Sequence, residues 1–358
     1  MTKIINISKM ICCTAVLLLT LVACERRLLE EASEFVEIKV NVDIKAVANV
    51  KVDVYNELIP APDLNTDMMR VLVYDPDTRK LLTQSFISGK SYSEDGSQIL
   101  TGSLNIAYGN YDILVYNFDT PTTQVTGESD EDEILAYTAE IPPAQKARYS
   151  GKTKAGENDF DIDDLLALDM RYEPDHLLVG REHDLRISPH DTLVVISTEA
   201  RTVVDSYYLQ IHVEGMQYAS SAMAIISGLS PSNHIALNEP TQDPTVAVAF
   251  DLNKSTDPRL ESDNKDVLCA VFNTFGKVPG VESELIVTFN VIDIAGNIQR
   301  YQTRLNELFE TEDAIERHWL LVNETWVIEN PNPNTNPTNG GFQPRIDDWE
   351  EEHGEIAI

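Results

Sequence analysis

From its second residue, the stretch Phe35-Val36-Glu37-Ile38-Lys39-Val40-Asn41-Val42-Asp43-Ile44 alternates strictly between apolar and polar residues. Successive strand side chains point to opposite faces, so Val36, Ile38, Val40, Val42 and Ile44 share one face and predict a strand half buried in a core. Val50, Val52 and Val54 continue the pattern after a break. Arg70–Tyr74 reads as the next strand, Asp75-Pro76-Asp77 has turn chemistry, and Lys80–Ile87 reads as a strand again. Leu100–Ala107 and Tyr111–Phe118 are expected to pair across Tyr108-Gly109-Asn110. Short strands punctuated by Gly, Pro, Asn and Asp, with little helical period, predict an all-β, antiparallel sandwich.

Regularity fades between Asp119 and Asp159, where Glu128-Ser129-Asp130-Glu131-Asp132-Glu133 is a charge block. Asp161 or Asp163 suits the cap of a short helix running through Arg171, the minor helix of the fold. The composition shift places a domain junction between Ser150 and Val179, giving an N-terminal sandwich over 35–160 and a C-terminal one over 175–358. In the second half Thr192–Ser197, Val203–Glu214, Ala222–Ser227, Thr245–Leu252, Val267–Asn273, Leu285–Asp293 and Trp319–Ile328 are predicted strands. Thr303–Phe309 reads equally as a helical turn or a strand, and Pro331–Gly341 as a polar loop.

The N-terminus carries Lys3 and Lys9, an apolar run from Met10 to Ala23, then Leu21-Val22-Ala23-Cys24. This is the pattern of a secretory signal, too short to span a bilayer. Leu-Val-Ala-Cys resembles a bacterial lipobox. It implies cleavage between Ala23 and Cys24, a signal peptide over 1–23, diacylation of Cys24 and a lipidated tether over 24–34. Of four cysteines, Cys12 and Cys13 leave with the signal and Cys24 takes lipid, so only Cys269 remains and no disulfide is expected. Cys269 sits in the apolar run Val267–Phe272 and reads as a core residue. A net charge of −32 argues against nucleic acid, whose binding needs a basic stripe.

Site motifs fail one after another. Gly151-Lys152-Thr153 lacks the glycine that a phosphate loop places five residues earlier, where Lys146 stands. Asp159, Asp161 and Asp163 have calcium-loop spacing, but Asp164 and Met170 occupy the positions that need Gly and Glu. A weak calcium site there or in Glu128–Glu133 stays open, and no residue is assigned to a metal. His176, His183 and His190 are spaced by seven with Pro174 and Pro189 around them, which is not helical ligand spacing. His212 alternates with Leu209, Ile211 and Val213 and is expected at the surface. No nucleophile motif has its partners, so no catalytic residue, cofactor or enzymatic activity is expected.

Several segments together resemble the fimbrillin superfamily of Bacteroides-type bacteria, and more narrowly its lipid-retaining anchor and accessory lipoproteins. They are Cys24-Glu25-Arg26-Arg27, Arg70-Val71-Leu72-Val73-Tyr74-Asp75, Tyr108-Gly109-Asn110-Tyr111 through Tyr116, Ser227-Gly228-Leu229-Ser230, and Gly341-Phe342 through Asp347-Asp348-Trp349. The resemblance implies two tandem transthyretin-like sandwiches, a pairing of the Arg70 strand with the Tyr108–Tyr116 strand, and joining of pilin-like subunits by strand exchange. It departs from the pilins in one respect: Arg26-Arg27 precedes the first strand and no arginine falls between Phe35 and Met69, which favours a member that keeps its lipid. The implied role is structural or adhesive, at the outer membrane and cell surface, with lipid bound through Cys24. The alternative is a glycan-binding lipoprotein of a nutrient-uptake system. Its aromatic platforms would have to come from Trp319, Trp326 and Trp349, clustered near the C-terminus.

Overall fold

A computed structural model describes residues 35–332, apart from 45–61, 95, 119, 151–166, 243, 256–265 and 279–283. Along the chain run β1 (Phe35–Ile44), β2 (Met69–Tyr74), β3 (Leu81–Ile87), β4 (Gly89–Tyr92), β5 (Gln98–Ala107) and β6 (Gly109–Asn117). The short strands β7 (Thr123–Thr126) and β8 (Leu135–Thr138) follow, then α1 (Pro143–Ser150) and β9 (Met170–Arg171). Next come β10 (Leu178–Ile187), β11 (Leu193–Thr202), β12 (Asp205–Glu214), β13 (Ala219–Leu229), β14 (Ser232–His234) and β15 (Glu239–Pro240). The last are β16 (Val246–Lys254), β17 (Asp266–Thr274), β18 (Ile286–Asp293), β19 (Ile298–Arg304), α2 (Glu312–Arg317) and β20 (Trp319–Val327).

The strands form an eight-stranded sheet ordered β3-β2-β6-β10-β11-β1-β5-β4 and a second of eight ordered β19-β18-β13-β16-β17-β12-β20, with β9 paired to β16 off that path. A small sheet, β15-β14-β8-β7, lies apart from both. Its first two strands come from the second half of the chain and its last two from the first half, so it binds the halves together. The expected all-β fold with two sandwiches and little helix is the one observed. The expectation of antiparallel pairing holds except at β1–β11, β12–β20 and β9–β16, which are parallel.

Each large sheet curls around its own apolar cluster. The first encloses Val36, Ile38, Val40, Val71, Val73, Ile87, Leu100, Ile113 and Val115, and the second Leu209, Ile211, Ile226, Phe272, Phe289 and Trp326. Burial of side chains this size is worth about 1.5–3 kcal/mol each. The outer face of β2 and β6 is also covered. Leu72, Tyr74, Leu114 and Tyr116 pack there with Ile134 and Ala136 beside β8, and with Ile235 and Phe275 from the second half. That is why β2 and β6 read as continuous apolar runs rather than alternating ones.

Several expectations need correction. Leu178–Ile187 and Leu193–Thr202 fall in the 175–358 segment assigned to the second sandwich, yet β10 pairs with β6 and β11 with β1, inside the first sheet. The composition shift marked the intervening segment and not the change of sheet. β5 and β6 are not a hairpin: β5 pairs with β1 and β4, and β6 with β2 and β10. The Tyr111 hydroxyl donates to Ala107 O at 3.0 Å, holding the corner where the chain leaves one partner set for the other. The implied pairing of the Arg70 strand with the Tyr108–Tyr116 strand is present, from Met69↔Asn117 to Tyr74↔Asp112.

The helix expected through Arg171 does not reach that far, because Met170–Arg171 pairs with Ala247–Val248 as β9. Ser227-Gly228-Leu229-Ser230, for which the resemblance implies a turn, is not one: Gly228 makes a bulge near the end of β13, at φ +87° and against the Glu284 backbone. Only glycine adopts that angle without strain. The undecided stretch Thr303–Phe309 splits between β19 and a single 3-10 turn at Leu308–Glu310. Expectations for Val50–Val54, Asp159–Asp163, Pro333–Gly341, Trp349 and the chain end lie outside the described residues.

Candidate subunit-docking site

β1 occupies a slot between two strands that do not pair with each other. On one side it runs antiparallel to β5, from Phe35↔Ala107 to Asp43↔Ile99. On the other it runs parallel to β11, from Glu37↔Leu193 to Ile44↔Ala200. Val36, Ile38 and Val40 point into the core and are at most 2% exposed, whereas Glu37 and Lys39 face solvent. The next described strand, β2, begins at Met69 and does not pair with β1, so no hairpin with β2 ties β1 to the sheet. Withdrawing β1 would bare two rows of backbone donors and acceptors and the apolar floor beneath them. That is the arrangement into which a strand from another chain can be added.

Free edges are the second feature. β3 and β4 run almost continuously, separated only by Ser88, with the first paired to β2 and the second to β5. The chain thus crosses from one end of the first sheet to the other, and among the described strands each has a strand partner on one side only, although Leu81 N at the start of β3 donates to Ser129 O at 3.0 Å. Gly102 permits this crossing. A Cβ there would collide with the Ile87 side chain and lie 3.1 Å from its Cα. Beside the β3 edge, Leu82, Phe86 and Phe118 are exposed, and the Phe86 and Phe118 rings sit 5.4 Å apart. The Arg70 guanidinium lies over Phe86 at 5.7 Å and pairs with Glu128 at 2.6 Å. A second exposed apolar group, Phe35, Leu193 and Val195, lies on the outer face where β1 meets β11.

Where the halves meet, a polar network adds to the apolar packing of Leu72, Tyr116, Ile235 and Phe275. Asp175 accepts from Thr122 Oγ1 at 2.7 Å, Thr123 N at 3.3 Å and Thr122 N. Asn273 N donates to Glu173 Oε1 at 2.8 Å, and Asn273 Nδ2 to Pro174 O at 3.1 Å. Burial pushes the Glu173 carboxyl up to about 7, against the lowering effect of the Asn273 N–H and with help from Asp251 and Asp175. Burial also lowers the His176 imidazole. A cleft of 330 Å³ opens beside this network, with Asp63, Asn117, Thr120 and Asp175 among its lining residues.

The network is not a catalytic arrangement. Ser206 Oγ lies 3.3 Å from His176 Nε2 but donates to Asn273 Oδ1 at 2.7 Å and is fully buried. The other ring nitrogen faces Thr202 Oγ1 at 2.9 Å, where a nucleophile's base would need an orienting carboxylate. Asp175 instead caps the loop at Thr122.

Of the residues singled out from the sequence, Ala23 and Cys24 lie outside the described residues. Cys269 forms no disulfide among the described residues and is buried beside Tyr208 and Val267, as a core residue. His212 is half-buried with Nδ1 enclosed, not a plain surface residue, because the neighbouring β20 pairs alongside it through Thr325. His176, His183 and His190 go to three different places: the network, the β10 bulge and the exposed turn after it. Trp326 stacks on Tyr301 at 6.0 Å in the core, and Trp319 lies under Arg317, so neither offers an open platform for a sugar ring. The Glu128–Glu133 charge block is not uniformly exposed. Glu131 within it is 2% exposed, folded against Arg79.

Residues 23–251 match the family described as a domain of unknown function (DUF5119). The match covers more than half of the 358 residues, and the chain belongs to that family. Over 129 residues it is 24% identical to a Bacteroides ovatus protein provisionally named fimbrium anchoring subunit Fim4B. That match covers 36% of this chain and only 33% of the relative. Among solved structures, a protein of Bacteroides ovatus provisionally described as an adhesin is 18% identical, with 81% of this chain and 93% of that one covered at a TM-score of 0.50. The fimbrial anchor protein Mfa2 from Porphyromonas gingivalis is 10% identical, with 80% and 89% covered at a TM-score of 0.44. The resemblance to fimbrillin-type proteins of Bacteroides-type bacteria is met in sequence by the fimbrium-subunit relative, and the fold by the adhesin structure at a TM-score of 0.50.

Proposed function

We propose that this DUF5119-family chain is a cell-envelope protein with a structural or adhesive role, akin to fimbrial anchor or accessory subunits, and that it joins other subunits by strand pairing. The observation that carries the reading is β1, a strand held between two backbone partners and not paired with the next described strand, β2, whose place another strand could take. The name of the Bacteroides ovatus relative, a fimbrium anchoring subunit, points the same way. The signal peptide 1–23, acylation of Cys24, the tether 24–34 and a place at the outer membrane, facing the cell surface, complete the proposal. We place the junction of the two sandwiches at Val203–Val204, between β11 of the first sheet and β12 of the second, with the two-residue β9 reaching the second sheet earlier in the chain. The reading assigns the protein no catalysis, and the glycan-binding alternative draws no support from these relatives.

The test locks the slot. Lys39 and Ser103 face each other across β1 and β5 and both are exposed, so Lys39→Cys with Ser103→Cys places two thiols at cross-strand distance. If strand exchange occurs at this slot, the oxidised double variant loses co-purification with pilin-like subunits from a Bacteroides host, and reduction restores it. Equal co-purification of oxidised and reduced protein would remove the slot from consideration. Saccharide binding at micromolar affinity would favour the alternative.

A further inference from the structure

Four segments distant in sequence converge at one end of the first sheet. Asp112 lies on β6, opposite Tyr74 of β2. Glu131 sits between β7 and β8, its N–H donating to Arg79 O at 2.8 Å. His183 lies at the irregularity in β10 between Glu182 and Leu185, where Asp184 N donates to Asp112 Oδ1 at 2.8 Å. Arg79 closes the β2–β3 turn and reaches inward. One oxygen of each carboxylate and one imidazole nitrogen lie within 4.8 Å of one another. His183 Nδ1 is 3.7 Å from Asp112 Oδ1, beyond hydrogen-bond length.

The cations present leave this cluster incompletely served. Asp112, Glu131 and Asp132 all draw on Arg79, at 2.8, 3.2 and 3.2 Å. Arg181 acts on Glu131 from further off, and Asp130 is taken by Lys80. Asp112 and Glu131 are 3% and 2% exposed, and Glu131 Oε2 is enclosed with no hydrogen bond, only the ion-pair contact with Arg79. A buried carboxylate oxygen without a hydrogen bond is costly, and it faces another carboxylate and an imidazole.

We propose that Asp112, Glu131 and His183 form a binding site for one divalent transition-metal ion of the zinc type. Zinc takes imidazole nitrogen and carboxylate oxygen at about 2.0–2.2 Å in a tetrahedron, which sets neighbouring ligand atoms roughly 3.3 Å apart. The Asp112–His183 separation is close to that, and His183 is 52% exposed on its side chain and free to adjust. Three protein ligands leave the fourth position for water. Arg79, 27% exposed, can retain Asp132 when the ion takes its place between the two buried carboxylates. Calcium would seek six to eight oxygens and no imidazole, so the histidine decides between the two. The bound ion would tie the 127–134 loop to β6 and β10.

The experiment is calorimetric titration of the chelator-treated, full-length chain with Zn²⁺ and, separately, Ca²⁺, on wild type, His183→Ala and Glu131→Gln. Wild type is expected to bind one Zn²⁺ with micromolar or tighter affinity. His183→Ala, a change at a half-exposed side chain, should weaken binding by roughly tenfold or more, since losing even an outer-shell partner costs that much. Its unchanged circular dichroism would show the fold intact. Absence of stoichiometric Zn²⁺ binding, equal binding by His183→Ala, or Ca²⁺ bound as tightly as Zn²⁺ would each overturn the proposal.

Discussion

The side-chain amide of Gln299 exchanges two hydrogen bonds with the backbone of Glu329: its Nε2 donates to Glu329 O at 2.8 Å, and its Oε1 accepts from Glu329 N at 2.7 Å. Gln299 belongs to β19 and Glu329 follows β20, the two ends of the second sheet's strand order. One side chain thus imitates a strand pairing and closes the sandwich at that end. Tyr301 and Trp326 stack nearby, so the polar tie sits over an aromatic contact between the same two strands.

Gln299→Ala should therefore loosen β20 from β19. Two hydrogen bonds at about 0.5–1.5 kcal/mol each give a loss of about 1–3 kcal/mol, read from the urea midpoint. A midpoint identical to wild type would show the tie to be idle.

Gly102→Val tests the crossing of β3 into β4. The added side chain meets Ile87, itself 1% exposed, so the strand must shift at a cost of about 1–3 kcal/mol or more. Combining it with Ile87→Ala should recover part of that loss, giving a coupling energy of opposite sign in a double-mutant cycle. Strict additivity would mean that the two residues do not press on each other.

Glu173 should make the fold sensitive to pH. Its carboxyl titrates near 7 in the folded chain against an ordinary value of 4.5, so the folded state holds the extra proton between those values. Stability from this group is full below about pH 4.5 and is lost as pH rises through 7. Glu173→Gln keeps an acceptor for Asn273 N and removes the charge. The variant should match wild type near pH 4 and exceed it by about 3 kcal/mol at pH 8, in denaturation curves across that range. A constant difference at all pH values would contradict the assignment.

Cys24→Ala should release the protein from the membrane fraction or stall its processing, because one residue carries the proposed anchor. Fractionation of host cells and mass spectrometry of the N-terminus would check it. Wild type found soluble with Met1 intact would end the anchor reading.

Which segments are strands was largely legible from the residues alone. The alternation in Val36–Ile44 and the apolar runs at Arg70–Tyr74, Val267–Asn273 and Trp319–Ile328 all became strands, because the pleat imposes a period that side chains must follow. β4 was not legible: Gly89–Tyr92 is wholly exposed, and it is a strand only because its backbone bonds to β5. β10 and β11 were misassigned for a related reason. Membership of a sheet is decided by backbone hydrogen bonds, which leave no mark on side-chain composition.

The same limit governs the sites. Val36, Ile38 and Val40 declared a buried face, but nothing in their spacing said that β1 lies between β5 and β11, parallel to the second. Asp112, Glu131 and His183 read separately as a strand residue, part of a charge block and a stray histidine. Local periodicity reports which way a side chain points. Only the long-range closure of the sheet decides what it meets there, and so tertiary structure alone could bring these three into one cluster.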